Sequence, residues 1–199
     1  VLPVAFYARP TLEVARELLG LLLCRREEDG TFTVGRIVET EAYIGETDPA
    51  CHAAAGLTRR TRVLYGPPGR SYVYFTYGMH HCFNVVTEPE GRPAAVLVRA
   101  LRPEAGLDRM RARRGGRNGP ELTRGPARLC EALGINLDQN DTSLAGPVLT
   151  LRADGMTATE IGSGPRIGIR VATDRPWRFW VAGDPFVSRA RPAPRRPRS

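Results

Sequence analysis

Residues 71 to 84 read SYVYFTYGMHHCFN, and this stretch limits the possible folds more than any other. Apolar and polar side chains alternate around Gly78, as in two antiparallel strands joined by a tight turn. Tyr72, Tyr74 and Thr76 share one face, while Val73, Phe75 and Tyr77 share the other. A three-residue loop of Gly78, Met79 and His80 sets Tyr74 opposite Asn84 and Tyr77 opposite His81. A two-residue loop breaks that pairing, and the sequence does not decide between them. In the three-residue register one face offers a ring beside an amide, which suits a flat heterocycle. The ring stacks on its π-face while the amide reads its edge. The tyrosine next to Gly78 then stands exposed at the tip.

A hairpin needs a sheet to join, and the chain supplies more β-rich runs. LLLCRR, the turn EEDG and TFTVGRIVETEAY read as a hairpin, AAVLVRAL as an apolar strand, and VLTLRA, PRIGIRV and WRFWVAG as a strand-rich final third. Helices are expected over LEVARELL, capped by Thr11 and stopped at Gly20, and over EAGLDRMRARR. A third, ARLCEAL, has Pro126 at its first position and Gly134 as its stop. Residues 48 to 69 form a long Pro/Gly-punctuated loop with a short helical turn, and long loops in compact domains are often functional. The pattern is α+β: an antiparallel sheet with a few helices in one domain, residues 1–189. The basic tail, residues 190–199, has no apolar pattern to bury and is expected to be disordered.

Charge narrows the partner. All 29 basic residues are arginine, the net charge is +8, and seven arginines fall between 109 and 128. Arginine pairs with phosphate in a bidentate fork, so a polyanion, nucleic acid above all, is the expected partner. An ion-paired protein surface is the competing explanation. The four cysteines form no CxxC and read as reduced thiols of a cytoplasmic protein. No run is long enough to span a membrane, and the first residues lack the zones of a secretory signal. Cys51-His52 and His80-His81-Cys82 lack the paired spacing of zinc ligands, so no metal or other cofactor is expected. GSG at 162 to 164 lacks the strand-loop-helix context of a phosphate loop.

RIVETEAYIG, residues 36 to 45, holds the candidate chemistry. Alternation places Ile37, Glu39, Glu41 and Tyr43 on one face and Val38, Thr40 and Ala42 on the other. Two carboxylates on one face are costly unless paired or wet, and an edge strand is the plain explanation. Arg99, inside AAVLVRAL, is equally costly without a partner. A neighbouring-strand carboxylate resolves both, and Glu41 or Glu39 could supply it. An arginine beside that carboxylate favours its ionised form, which suits a general base.

These residues, with the His of DPACHAAAG, YVYFTYGMHHCFNVV, VLVRALRP and GPARLC, resemble the alkyladenine DNA glycosylase family, the mammalian type of 3-methyladenine DNA glycosylase with bacterial members. The match is ordered from about residue 5 to residue 189. The resemblance implies a single α+β domain with a curved antiparallel sheet whose protruding hairpin enters the DNA minor groove. It further implies that Tyr77 takes the place of the flipped nucleotide, that Tyr43, His52 and Tyr74 wall the extruded base, and that Asn84 rejects guanine at its 2-amino group. Glu41 is then the catalytic residue that activates water, with Arg99 and the backbone carbonyl near Ile167 holding that water. The implied partner is double-stranded DNA containing damaged purines, bound by a monomer at the bacterial nucleoid. The connection between Asn84 and Arg99 is slightly longer than the family pattern.

The missing lysine adds an inference of its own. Glycosylases that also cut the strand commonly form a Schiff base through an amine, so this chain is expected to excise the base alone. Three rivals are weaker, one of them a small-molecule nucleosidase, which has little use for Tyr77 or the arginine clusters. LTRGPARLCEALGI loosely resembles a helix-hairpin-helix element, but the chain is strand-rich. A non-enzymatic nucleic-acid-binding module of related sheet fold would have no use for Glu41, His52 and Arg99 together.

Overall fold

The long strand β2 (Phe32–Ile44) organises the sheet because its two edges are used differently along its length. One edge pairs with β5 (Ala94–Ala105) from Val34 to Ile44. The other is divided between β1 (Leu22–Arg26) near its start and β8 (Arg178–Val181) at Glu39 to Glu41. Beyond β5 lie β4 (His80–Val86) and β3 (Ser71–Thr76); beyond β1 lies β6 (Leu149–Arg152), and β7 (Ile161–Gly164) pairs with β8. Every pairing is antiparallel, and the sheet curls into a half-barrel. This computed structural model describes residues 1–76 and 78–189, and among them no helix is long and apolar enough to cross a membrane.

Period-2 alternation sorts the sheet into two faces. Val73, Phe83, Val85, Val96 and Val98 meet the helices α2 (Thr11–Glu17) and α4 (Pro126–Leu133), which contribute Val14, Ala15, Leu129 and Leu133 to the main core. Tyr72, Val86 and Ala95 point the other way, toward a second cluster with Ala53, Val63 and Leu64 from the long loop. That loop holds two 3-10 turns, His52–Ala55 and Arg62–Tyr65. The short helices α1 (Val4–Tyr7) and α3 (Leu107–Arg113) complete the α+β fold.

Three local expectations need correction. Thr11 is the first residue of α2 rather than its cap; the N–H of Thr11 is instead satisfied by the distant Glu88 carboxylate at 2.7 Å. PRIGIRV forms no strand, because its backbone and side chains bond to carboxylates of the site instead of to a ladder. The strand sits earlier, at Ile161–Gly164, where a Cβ on Gly162 would lie 2.4 Å from the Trp180 ring, so this glycine serves close packing. The hairpin pairing is shifted, with Thr76 opposite His80, so that Asn84 faces Tyr72 and Tyr74 faces Cys82. Tyr77 and the tail 190–199 lie outside the described residues.

Candidate active site

Two irregularities in the β2–β5 ladder build the site. Ile37 pairs with Leu101 and Glu39 with Ala100, leaving Val38 as an extra residue; Thr40 then pairs with Val98, leaving Arg99 as another. A bulge re-aims a side chain and strengthens the local twist. The first one corrects the alternation read from sequence: Ile37 joins Ala42 in the helix-side core, and only Glu39, Glu41 and Tyr43 remain together. The second turns Arg99 toward both carboxylates, with Nε 3.2 Å from Glu39 Oε1 and Nη1 3.2 Å from Glu41 Oε1. Both partners left open by the sequence are therefore used.

Glu41 is fully buried. Its Oε1 accepts the Ile167 N–H at 2.6 Å and its Oε2 accepts the Tyr43 hydroxyl at 2.8 Å. The Ile167 carbonyl in turn accepts from Arg99 Nη1 at 3.5 Å. Burial pushes the Glu41 carboxyl above its ordinary range, and Arg99, Ile167 and Tyr43 pull against that shift without cancelling it. The arginine was expected to dominate; desolvation does. Burial and the neighbouring Glu41 also keep the Tyr43 phenol protonated, so it remains a donor.

Beside this pair opens a cavity of about 350 Å³ lined by Tyr43, His52, Tyr74, Asn84, Arg99 and Ile167, among others. The expected pocket residues are thus gathered in one place. The His52 and Tyr74 rings meet edge to face, with centroids 4.5 Å apart. His52 Nδ1 is 2.8 Å from the Tyr72 hydroxyl, and Asn84 donates to the Tyr72 carbonyl at 2.9 Å. Burial, then the charge of Arg60, pushes the His52 imidazole down to about 4, so this wall is uncharged at neutral pH.

The sequence reading missed the support behind these walls. Asp48 and Arg166 form a buried bidentate pair at 2.6 and 2.8 Å. Burial works against the Asp48 carboxylate, yet the Arg166 hydrogen bonds hold it below its ordinary range. Arg166 also bonds the Ala42 carbonyl, stacks 4.6 Å from the Tyr43 ring centroid, and directly precedes Ile167. Asp48 accepts the N–H groups of Ile44 and Ala50. One ion pair therefore fixes the Tyr43 wall, the approach to His52 and the backbone that holds Glu41. The two residues are 118 positions apart, and no spacing rule signals such a contact.

The arginine clusters also divide. Between 109 and 128, Arg109, Arg111, Arg113, Arg114, Arg124 and Arg128 pair with carboxylates, so most of that charge is met within the protein. Arg59, Arg60 and Arg62 are exposed on the long loop that bears His52, with no carboxylate partner among the described residues.

A buried carboxylate–guanidinium pair next to an aromatic-walled cavity, in a basic protein, suits work on a base taken out of nucleic acid, since flipped bases are held between aromatic side chains. Residues 5–185 match the model of the methylpurine-DNA glycosylase family. A Myxococcus xanthus protein named "Putative 3-methyladenine DNA glycosylase" is 53% identical, covering 98% of this chain and 97% of its own. Proteins of the same name from Methanoculleus marisnigri and Chlorobaculum parvum are 50% and 49% identical over 94% of this chain, covering 98% and 90% of theirs. The chain belongs to the methylpurine-DNA glycosylase family and is a DNA glycosylase of base-excision repair.

Proposed function

We propose that the protein excises alkylated and deaminated purines of the 3-methyladenine, 7-methylguanine, hypoxanthine and ethenoadenine type from duplex DNA, leaving an abasic site. The observation that carries this reading is Glu41, buried beside the aromatic cavity and held by Tyr43, Arg99 and Ile167. Tyr77 fills the gap left by the extruded nucleotide. Tyr43, His52 and Tyr74 enclose the base, and Asn84 meets the 2-amino group of guanine. Extrusion costs a few kcal/mol and least where pairing is already poor, which adds selectivity before the cavity acts.

Arg99 and the Ile167 carbonyl hold a water at the sugar. Glu41 takes its proton as the water oxygen bonds to C1′. The C1′–N9 bond breaks, and its electron pair leaves with the purine. A purine alkylated at N3 or N7 is thereby neutralised and needs no acid. Its positive charge is attracted to tyrosine faces and is not opposed by an uncharged His52. The ionised Glu41 also stabilises the oxocarbenium-like sugar. With no lysine in the sequence, we assign base excision without strand cleavage. Buried, unpaired cysteines fit a monomer acting in the reducing cytoplasm on the bacterial nucleoid.

The test is base release from duplexes bearing each lesion. Glu41→Gln should lower single-turnover release by about 10²–10⁴-fold, the usual weight of a general base, while lesion binding persists. Borohydride should trap no covalent adduct. Release from none of the lesions, or undiminished release by the variant, overturns the reading.

A further inference from the structure

Glu39 is fully buried one strand repeat before Glu41, and it does not itself line the cavity. Its contacts are nonetheless concentrated on the catalytic machinery. Oε1 lies 3.2 Å from Arg99 Nε and 3.2 Å from Arg178 Nη1, and Oε2 accepts the Ser188 N–H at 2.7 Å. Arg99 is therefore forked: Nε goes to Glu39, and Nη1 goes to Glu41 and the Ile167 carbonyl.

We infer that Glu39 is a positioning residue that orients Arg99 and limits how much of its positive charge reaches Glu41, with Arg178 as the counterweight that offsets Glu39. The inference rests on Glu41 being the general base. Bonds from Arg178 and Ser188 leave Glu39 little freedom, so its bond to Arg99 Nε fixes the plane of the guanidinium. That plane decides where Nη1 points, and Nη1 is the atom between Glu41 and the Ile167 carbonyl. A carboxylate at this position also opposes ionisation of Glu41 through its own charge.

The charged and titratable groups facing Glu41 define the expected sign. Arg99 on β5 and Arg166 before Ile167 favour its carboxylate form; Tyr43 donates to it; Glu39 on β2 and, if ionised, Cys82 on β4 oppose it. Excision requires ionised Glu41, so the rate rises with pH through an acid limb set by this group. Glu39→Gln keeps the side-chain shape and one acceptor for Arg99 but removes the like charge. The acid limb should move to lower pH by about one unit. Arg178→Met removes the counterweight and should move the limb the other way.

The experiment is the pH dependence of single-turnover 7-methylguanine release, read below neutral pH where the lesion is cationic and its departure needs no proton from the protein. Opposite displacements of the two limbs support the inference, because a purely structural role lowers both rates without moving the limbs apart. Limbs that coincide with the unsubstituted protein, or a Glu39→Gln limb at higher pH, overturn it. If Glu39→Gln alone fails to fold, the charge-balanced pair Glu39→Gln with Arg178→Met is compared with Arg178→Met alone: a lower limb supports the inference, and an equal or higher one overturns it. A protein without release, or one whose Glu41→Gln form retains it, removes the underlying reading instead.

Discussion

Arginine meets carboxylate in two parts of this molecule, with different consequences. Around α3 and α4 the pairs, apart from Arg113 with the buried Glu27, are open to water: Asp108, paired with Arg111, is 99% exposed, and Glu121 between Arg124 and Arg128 is 47% exposed. Such pairs contribute about 0–1 kcal/mol and can be exchanged for another anion. Behind the cavity, Asp48, Glu39 and Glu41 are fully buried against Arg166, Arg99 and Arg178. There a lost partner leaves an uncompensated charge, and the geometry is held because the alternatives are costly. The same two residue types give an adaptable surface in one place and a rigid frame in the other.

The frame is broken most sharply at Asp48. Asp48→Asn should lower stability by about 3–5 kcal/mol, read from urea unfolding, since Arg166 stays buried without its counter-charge. Replacing both partners, Asp48→Leu with Arg166→Met, should recover most of that loss, because apolar residues of similar volume often substitute for a buried pair. Excision should remain low in the double variant, because Tyr43, the His52 approach and Ile167 have lost their common anchor. Full recovery of excision would show that the pair serves stability alone.

A smaller effect isolates one bond within that frame. Tyr43→Phe keeps the ring that walls the cavity and removes the hydroxyl that donates to Glu41 Oε2 at 2.8 Å. A hydrogen bond to a charged group contributes about 1.5–3 kcal/mol, so excision should fall about tenfold or more with little change in affinity for abasic-site DNA. The acid limb should also move upward, because a donor that favours ionised Glu41 is gone. His52 does not produce this limb, since its imidazole charges only near 4.

Much of this frame was hidden in the sequence for a physical reason. Alternation is a parity rule, and it located Glu39, Glu41 and Tyr43 on one face and the Tyr72, Tyr74 and Asn84 face of the hairpin correctly. Parity is preserved when each strand shifts by one residue, so the actual Tyr72–Asn84 pairing and the expected Tyr74–Asn84 pairing satisfy it equally. Parity is broken by an extra residue, so nothing marked Val38 or Arg99 as bulged before the ladder was seen. PRIGIRV has a β-like composition, whereas the bonding partners of Arg166 and Ile167 lie far away in the chain. Glu39 was visible as a costly carboxylate, but its link to Arg178 and Ser188 was not.

The least disruptive changes belong to the open surface, where the two arginine groups can be told apart by salt. Each phosphate contact contributes about 0.9 to the slope of log affinity against log salt concentration on duplex DNA. Arg59 and Arg62 are exposed on the loop that bears His52 and have no carboxylate partner among the described residues, so either one replaced by Gln should reduce the slope by about 0.9 if it meets a phosphate. Arg124 is already bonded to Glu121 at 2.9 Å, and Arg124→Gln should leave the slope nearly unchanged while altering stability by no more than about 1 kcal/mol. The reverse order, with Arg124 carrying the salt dependence, would mean that its ion pair opens on DNA, and that the duplex lies across α4 rather than along the loop that bears His52.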